Sequence, residues 1–293
     1  MAHFAEAREL MTPKRTAVAV AAGLGVAAAV GLATFGVRRL LDAYRQGPPN
    51  TKLVKVAEVS RLFIYPVKSC KGIPLTEVEI TDLGLKKGPL KDRQWLIVDE
   101  KWNMITGRVE PSLVLVTVSD KNGFLCLNAP EMEELRVPLK PSKSNPVKMC
   151  RVWGCNIEGR DCGDEAAHWI SIYLRNSRAF RLVCYEPSMK PRYLKEKDPP
   201  FLDSDKDTWK GIQIGTAKLH QRMYCTRCIF TTVDPDTGII NRKEPLETLK
   251  RYRQCDPSEK HIYKSVPVFG SHYGIEKPGV IRVGDPVYMI VQQ

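Results

Sequence analysis

Residues 225–238 read CTRCIFTTVDPDTG, and this stretch decides how the rest of the chain is interpreted. Two cysteines, Cys225 and Cys228, are separated by two residues. The β-branched run at residues 229–233 predicts a strand, and the DPDTG that follows predicts a turn, because Asp, Pro and Gly favour tight reversals. The stretch therefore predicts a thiol-bearing loop held at the end of β-structure.

Three kinds of chemistry suit this cysteine pair. A closed zinc site needs two further ligands, for which Cys255 and His220 are the plausible candidates in the sequence. A dithiol–disulfide couple normally opens a helix after a strand, whereas a strand is predicted to follow here. A single thiolate bound to another metal suits the neighbouring Arg227, because metal coordination holds the sulfur as an anion. All three alternatives remain open on the residues alone.

Two basic segments upstream have the composition of a phosphate site. Residues 65–72 read YPVKSCKG after the first predicted strand, and residues 91–95 read KDRQW at the start of a later one. Arginine offers a planar fork of donors, lysine a point charge and serine a hydroxyl, which together suit a phosphate. Exposed basic loops are commoner than phosphate sites, so each segment alone is a weak signal.

Short apolar and β-branched runs between turns predict a β-rich α+β fold, either a barrel or a sandwich, rather than βαβ units. Lys121-Asn122-Gly123 predicts a hairpin turn. A helix is predicted at residues 164–174, with Asp164 as its N-cap, and another at residues 245–252. Residues 186–211 are charged, contain proline and are interpreted as a loop. Strands are predicted at residues 56–65, 78–80, 94–98, 113–119, 124–127, 147–152 and 287–291.

The N-terminal region predicts a membrane anchor. Residues 16–37 contain no charged side chain and are long enough to cross a bilayer as one helix. More basic residues follow this segment than precede it, which predicts a cytosolic C-terminal part. A cleaved secretory signal is the competing interpretation, but its apolar core would be shorter. Residues 1–15 precede the predicted signal anchor, and residues 38–54 form a polar linker after it.

Composition narrows the range of partners. The formal net charge is +12, with 45 Lys and Arg interleaved among 33 Asp and Glu. Because no dense basic run occurs, no nucleic-acid partner is predicted, and the diffuse positive charge suits an acidic protein near a membrane. The odd number of nine cysteines is unlike a fully paired secreted framework and predicts reduced thiols.

Taken together, these segments resemble the MOSC superfamily, the molybdenum cofactor sulfurase C-terminal domains. With the predicted anchor, the chain is similar to the mitochondrial amidoxime-reducing component family within it. The resemblance implies a β-rich N-terminal MOSC-associated domain at residues 55–180 and a MOSC-type β-barrel domain at residues 181–293, preceded by one transmembrane helix. It is carried by residues 65–72, 91–95 and 225–238, by Trp153-Gly154 and Gly163-Asp164, and by PLETLK at residues 245–250.

The resemblance also implies a molybdenum–pterin cofactor. Cys228 matches the family's metal ligand and is the implied catalytic residue, whereas Cys225 is not a ligand. The implied cofactor-binding residues are Lys68, Ser69, Arg93, Thr226, Arg227 and Cys228.

The implied activity is reduction of small N-hydroxylated compounds such as amidoximes. Electrons come from NADH through cytochrome b5 reductase and cytochrome b5, at the cytosolic face of the mitochondrial outer membrane. The chain departs from the family in three places. An internal segment near residues 200–210 is expected to be missing, KGIQIG at residues 210–215 replaces a more acidic family segment, and His272 stands where the family has tyrosine. The alternative function is therefore a catalytically silent, membrane-tethered isoform that lacks part of the cofactor site and acts as a binding protein.

Overall fold

A computed structural model describes residues 51–175, 178–190 and 209–292. The predicted signal anchor at residues 16–37 lies outside these residues, as does most of the predicted loop at 186–211. Within the described ranges, none of the helices has both the length and the apolar character needed to cross a bilayer. Residues 53–291 form one compact unit, and the domain boundary between residues 180 and 181 stays a prediction.

The described residues form short strands, numbered here in chain order, which confirms the β-rich prediction. The first nine are β1 Thr51–Glu58, β2 Leu62–Ile64, β3 Ile73–Leu75, β4 Glu77–Thr81, β5 Gly84–Lys87, β6 Leu90–Lys91, β7 Trp95–Asp99, β8 Thr117–Lys121 and β9 Phe124–Asn128. The others are β10 Leu135–Pro138, β11 Val147–Val152, β12 Cys155–Asp161, β13 Phe180–Cys184, β14 Gly211–Ile214, β15 Ala217–Thr226, β16 Val268–Lys277, β17 Gly279–Arg282 and β18 Pro286–Gln292.

The α-helices and 3-10 helices are few and short. Helix α1, Asp164–Tyr173, confirms the helix predicted at residues 164–174 and buries one apolar face. Its N-cap is Gly163, so the prediction of Asp164 as the cap is wrong, because the Asp164 carboxylate instead accepts a hydrogen bond from Arg181 at 2.7 Å. The other α-helices are α2 Leu246–Tyr252 and α3 Lys260–Tyr263, and the 3-10 helices are Pro111–Leu115, Ile229–Thr232 and Pro257–Glu259.

Several strand predictions need correction at their ends. The predicted strand at residues 56–65 is broken between β1 and β2, where Val59 exchanges backbone hydrogen bonds with Gly284 and Asp285. The first half of the predicted strand at 113–119 belongs to the 3-10 helix that Pro111 opens. The hairpin prediction is confirmed: Asn122 and Gly123 both have positive φ between β8 and β9, as a type I′ turn requires.

The strands form five sheets that interlock the two halves of the chain. Their orders are β1-β18-β14-β15-β16, β10-β9-β8, β11-β12-β13-β7, β17-β4-β5-β6 and β2-β3. Strand β17 pairs with β4, so a strand near the C-terminus completes a sheet near the N-terminus. One apolar cluster correspondingly combines Val78 and Ile80 with Ile212, Ala217 and Ile281.

The closed barrel implied by the resemblance is not formed by the described residues. In the five-stranded sheet, β1 and β16 are the two edges, and the strand order does not join them. A barrel closes only when its first and last strands pair. This sheet, within the part of the chain that the structure describes, is open.

Candidate functional site

The two basic segments predicted to bind an anion lie side by side. Val67 and Trp95, both completely buried, form a parallel bridge between them. The backbone N–H of Lys68 donates to the carbonyl of Trp95 at 3.0 Å, and the N–H of Arg93 donates to the carbonyl of Tyr65 at 2.7 Å. These backbone hydrogen bonds, together with the buried pair Val67 and Trp95, therefore hold Lys68 and Arg93 on neighbouring segments.

Ser69 and Arg93 occupy the left-handed region of backbone space, with φ of +70° and +51°. The Asp92 carboxylate accepts a hydrogen bond from the backbone N–H of Tyr65 at 2.8 Å and from the Arg93 guanidinium at 2.6 Å. Asp92 is nearly buried, whereas the Arg93 side chain is 63% exposed. The carboxylate thus orients a guanidinium that still presents donors to solvent.

Cys228 lies just beyond the end of β15, at the start of the 3-10 helix Ile229–Thr232. The prediction of a strand at residues 229–233 is wrong. The carbonyl of Cys228 accepts hydrogen bonds from both the backbone N–H and the hydroxyl of Thr231, at 3.0 and 2.8 Å, which folds the chain into a tight turn. The predicted turn at Asp234 is confirmed, because its carbonyl accepts from the N–H of Gly238 at 2.9 Å.

Arg227 is fixed by the neighbouring strand β16. Its Nε donates to the carbonyl of Phe269 at 2.7 Å, its backbone N–H donates to the carbonyl of Pro267 at 2.8 Å, and its guanidinium lies 5.8 Å from the centre of the Phe269 ring. A side chain at Gly270 would meet the same guanidinium at 3.2 Å, and the φ of +89° there also favours glycine. The position of this cation beside Cys228 is therefore set by backbone contacts.

Arg93 and Arg227, one from each half of the chain, both add positive charge near His272. This exposed residue on β16 has a lowered pKa, first because surrounding protein partly desolvates the imidazole and then because Arg93 and Arg227 place positive charge near it. Arg93 precedes β7 and Arg227 follows β15, so the fold brings together cations that are distant in sequence. Sequence reasoning noted His272 only as a departure from the family pattern.

Further contacts join the cysteine stretch to the upstream segments. Lys71 Nζ donates to Asp236 Oδ1 at 3.2 Å, which links residues 65–72 to residues 225–238. A Cβ atom added to Gly107 would lie 2.2 Å from the ring of Phe230, so the 3-10 helix after Cys228 packs directly against this glycine. The predicted residues thus converge on one region of the molecule.

Three of the predicted residues present polar atoms that have no hydrogen-bond partner in the described part of the chain. The Ser69 and Thr226 hydroxyls and the Cys228 thiol make no hydrogen bond with any residue that the structure describes. Cys228 is exposed, and Cys225 is half-buried. A soft sulfur and free hydroxyls beside cations form a donor set suited to a metal held by an anionic organic carrier.

The zinc alternative is not supported. Within the described ranges, no three His, Cys, Asp or Glu side chains come together in a way that could hold a metal ion. Cys255 is buried, and its thiol faces the carbonyl of Lys264 at 3.9 Å. The dithiol alternative is not supported either. A dithiol couple normally opens an α-helix, whereas this cysteine pair ends a strand and opens only a four-residue 3-10 helix.

A cavity of about 1170 Å³ lies next to the cluster without containing it. Phe269 and Gly270, the neighbours of Arg227, form part of its wall together with side chains from β14, β15 and α2. Lys68, Arg93 and Cys228 do not line it. The cysteine and its cations therefore form an open surface site with this cavity at its margin.

Comparison with known proteins shows the family of this chain. The chain matches the model of the MOSC N-terminal beta barrel domain over residues 56–177 and that of the MOSC domain over residues 198–288. It is 40% identical to mouse mitochondrial amidoxime-reducing component 1, with 96% of this chain and 94% of that protein covered. The chain belongs to the family of mitochondrial amidoxime-reducing components. Rat mitochondrial amidoxime reducing component 2 is 42% identical, with 95% of each chain covered, and human component 1 is 41% identical, with 92% and 94% covered.

Family members contain residues that this chain lacks. The alignment to the mouse component runs over 327 positions, which exceeds the 293 residues of the whole chain. The alignment must therefore include positions at which the mouse protein has a residue and this chain has none. This agrees with the predicted loss of an internal segment, although its place near residues 200–210 stays a prediction.

Proposed function

We propose that this chain is a molybdenum-cofactor-dependent oxidoreductase that reduces N-hydroxylated compounds, amidoximes among them. Its relatives are named as amidoxime-reducing components, and the second half of the chain matches the MOSC domain. The observation that carries the proposal is an exposed Cys228 thiol that lies beside Arg227 and makes no hydrogen bond with the described residues, at a place where Arg93 also contributes charge.

The residues present fit such a cofactor. Cys228 supplies the soft sulfur ligand for molybdenum. The free hydroxyls and the cations suit the pterin and its phosphate, because charge-assisted hydrogen bonds to phosphate are strong and directional. When bound, the cofactor supplies two-electron redox chemistry. The residues that would hold it are Lys68, Ser69, Arg93, Thr226, Arg227 and Cys228.

The overall reaction balances with two electrons and two protons. The N–O bond of the amidoxime breaks, the amidine forms, and the oxygen leaves as water. The reducing equivalents come from NADH through cytochrome b5 reductase and cytochrome b5. The protein's part is to bind the substrate at an open site and to keep positive charge there. Arg227 is held for this task by its hydrogen bond to Phe269.

The proposed partner and location follow from charge and from the relatives. A protein with a net charge of +12 attracts an acidic electron donor and gains association rate from that attraction. The relatives are named mitochondrial. We place this chain at the mitochondrial outer membrane, anchored by residues 16–37 with its C-terminal part facing the cytosol, and we propose no nucleic-acid partner.

The test uses the full chain purified from cells that make molybdenum cofactor. We expect near-stoichiometric molybdenum by mass spectrometry and NADH-dependent reduction of an aromatic amidoxime in the presence of both cytochrome b5 proteins. Cys228→Ala should abolish both, whereas Cys225→Ala serves as the matched control and should keep both. A folded chain that contains molybdenum after Cys228→Ala would contradict the assignment of the ligand.

A silent isoform is the second candidate, because the relatives align over more positions than this chain has residues. In that case the chain would be a membrane-tethered binding protein that competes for cytochrome b5. A folded, full-length chain without molybdenum that still slows cytochrome b5 turnover by an active relative would establish this alternative.

A further inference from the structure

We infer that Arg108 is a further anion-binding residue of this site and that, together with Lys68, it holds a phosphate group beside Trp153. The inference rests on the proposed function in one respect: the phosphate is taken to be that of the cofactor. Neither Arg108 nor Trp153 is among the residues that the resemblance assigns to the cofactor.

Arg108 and Lys68 share one aromatic ring. The guanidinium carbon of Arg108 lies 4.4 Å from the centre of the Trp153 indole, and Lys68 Nζ lies 5.4 Å from it. Cation–π contact stabilises each cation, but two positive charges around one ring also repel each other. An anion bound at Arg108 would offset that repulsion.

Arg108 has no acidic partner among the described residues. It is half-buried, yet it makes no ion pair or hydrogen bond with any described residue apart from its contact with Trp153. Two other half-buried arginines differ in this respect. Arg160 binds the Glu186 carboxylate at 2.8 Å, and Arg181 binds the Asp161 carboxylate at 2.5 Å. Partly burying a guanidinium without an anion is unfavourable, so Arg108 is a cation with an open position.

Arg108 also lies between the two parts of the proposed site. Its neighbour Gly107 is buried against the ring of Phe230, in the 3-10 helix that Cys228 opens. Trp153 occupies the turn between β11 and β12, where a φ of +51° fixes the backbone that carries the indole. Arg108 thus follows a glycine that packs against the cysteine element, and it shares the Trp153 ring with Lys68.

The chemistry of these groups suits a phosphate. A guanidinium offers paired donors that match two phosphate oxygens, and a lysine adds a point charge. Arg108 makes no hydrogen bond or ion pair with the described residues, so its N–H donors are available for such oxygens. Sequence reasoning missed Arg108 because nothing in the local pattern TGRVE distinguishes it from an ordinary surface arginine.

The test measures phosphate binding by the cofactor-free full chain, followed by tryptophan fluorescence. Arg108→Gln removes the positive charge, and Arg108→Lys keeps it. Arg136→Gln is the matched control, because Arg136 is an exposed arginine on β10 that pairs with Glu134. We expect Arg108→Gln to weaken binding of inorganic phosphate about tenfold or more, as loss of one charge-assisted contact should. Arg108→Lys should weaken it much less, and Arg136→Gln should leave it unchanged. Equal affinity in Arg108→Gln and Arg136→Gln would overturn the inference.

Two further measurements complete the test. Molybdenum retained after gel filtration should fall in Arg108→Gln and recover in Arg108→Lys. A wild-type chain that responds to phosphate through Arg108 but never holds molybdenum refutes the proposed function and leaves the anion site standing. If Arg108→Gln does not fold, phosphate binding is instead followed by NMR through the side-chain nitrogen resonance of Arg108 in the unaltered chain. Arg108→Lys serves to assign that resonance. A shift with phosphate supports the inference, and no shift overturns it.

Discussion

Ser69 and Arg93 adopt left-handed backbone conformations that are unfavourable for residues other than glycine, by about 1–2 kcal/mol each. The surrounding hydrogen bonds compensate for part of this conformational cost, among them the bond from the Arg93 N–H to the Tyr65 carbonyl. Both residues belong to the proposed cofactor site. Backbone strain of this kind concentrates at functional sites, where the direction of a side chain matters more than stability.

Replacing Ser69 should separate stability from binding. Ser69→Gly should not lower the free energy of unfolding, because glycine adopts positive φ without strain, whereas Ser69→Val should lower it by about 1–2 kcal/mol. Both variants lack the hydroxyl and should retain less molybdenum than the parent protein. Urea unfolding and metal analysis provide the measurements. Equal destabilisation by glycine and valine would contradict the role given to the backbone.

His272 should make the fold less stable in mild acid. Its folded pKa is lowered below the ordinary 6.5 by partial desolvation and by Arg93 and Arg227, so the unfolded chain takes up a proton first as the pH falls. Stability therefore drops as the pH falls from about 6.5 to the folded pKa. His272→Gln should show a smaller difference in Tm between about pH 7.5 and about pH 5.5 than the parent. His168→Gln, on the exposed face of α1, is the control.

The same titration can be followed directly by NMR. Arg227→Gln should raise the pKa of His272, because one of the two neighbouring positive charges is lost. A His272 pKa that stays the same in this variant would show that Arg227 does not face the imidazole.

At the scale of elements, the 3-10 helix Ile229–Thr232 shows why composition misled the prediction of a strand. The Thr231 and Thr232 hydroxyls donate to carbonyls three residues earlier, both at 2.8 Å. These local bonds offer the backbone an alternative to a sheet, and they override the strand preference of β-branched residues. The hairpin at Asn122 and the amphipathic helix α1 were predictable, because turn chemistry and helical periodicity are local signals.

The pairing of residues 65–72 with residues 91–95 could not be predicted in this way. Their hydrogen bonds form between segments that are distant in sequence, around the buried pair Val67 and Trp95. The residue types of the anion site were therefore visible in the sequence, but its assembly was not. The resemblance supplied the grouping that local patterns lacked.

The packing of Gly107 against Phe230 should be sensitive to one added methyl group. Gly107→Ala would place a carbon 2.2 Å from the ring, so we expect the free energy of unfolding to fall by about 1–3 kcal/mol and the 3-10 helix to shift. Adding Phe230→Leu should restore part of the stability. Gly211→Ala, whose new methyl would lie 3.4 Å from Ile290, is the control. If Gly107→Ala is as stable as Gly211→Ala, the packing is looser than described.

At the scale of the whole molecule, the site exists because the two halves of the chain share a core. The ion pair between Lys71 and Asp236 is exposed and contributes only about 0–1 kcal/mol. Apolar packing and the pairing of β4 with β17 hold the halves together instead. The alignment to the mouse component contains positions that have no counterpart in this chain, and the five-stranded sheet of the described part is open.

Electron transfer from an acidic donor should depend strongly on salt. With a net charge of +12, the association rate with cytochrome b5 should fall about tenfold or more as ionic strength rises from about 0.01 to 0.15 M, because the screening length shrinks from about 30 to 8 Å. Stopped-flow oxidation of reduced cytochrome b5 measures this rate. The KM for a neutral amidoxime should change little and serves as the control. A rate independent of salt would exclude electrostatic steering.

The distribution of the thiols has a practical consequence. Cys228 is the exposed cysteine among the nine, all of which lie in the described residues. Burial raises the pKa of Cys70 and Cys184 to about 12 and that of Cys150 to about 11, and alkylation proceeds through the thiolate. A maleimide dye or nitroxide label added to the cofactor-free chain at neutral pH should therefore attach first to residue 228. The unaltered polypeptide thus provides a natural attachment point for a spectroscopic reporter.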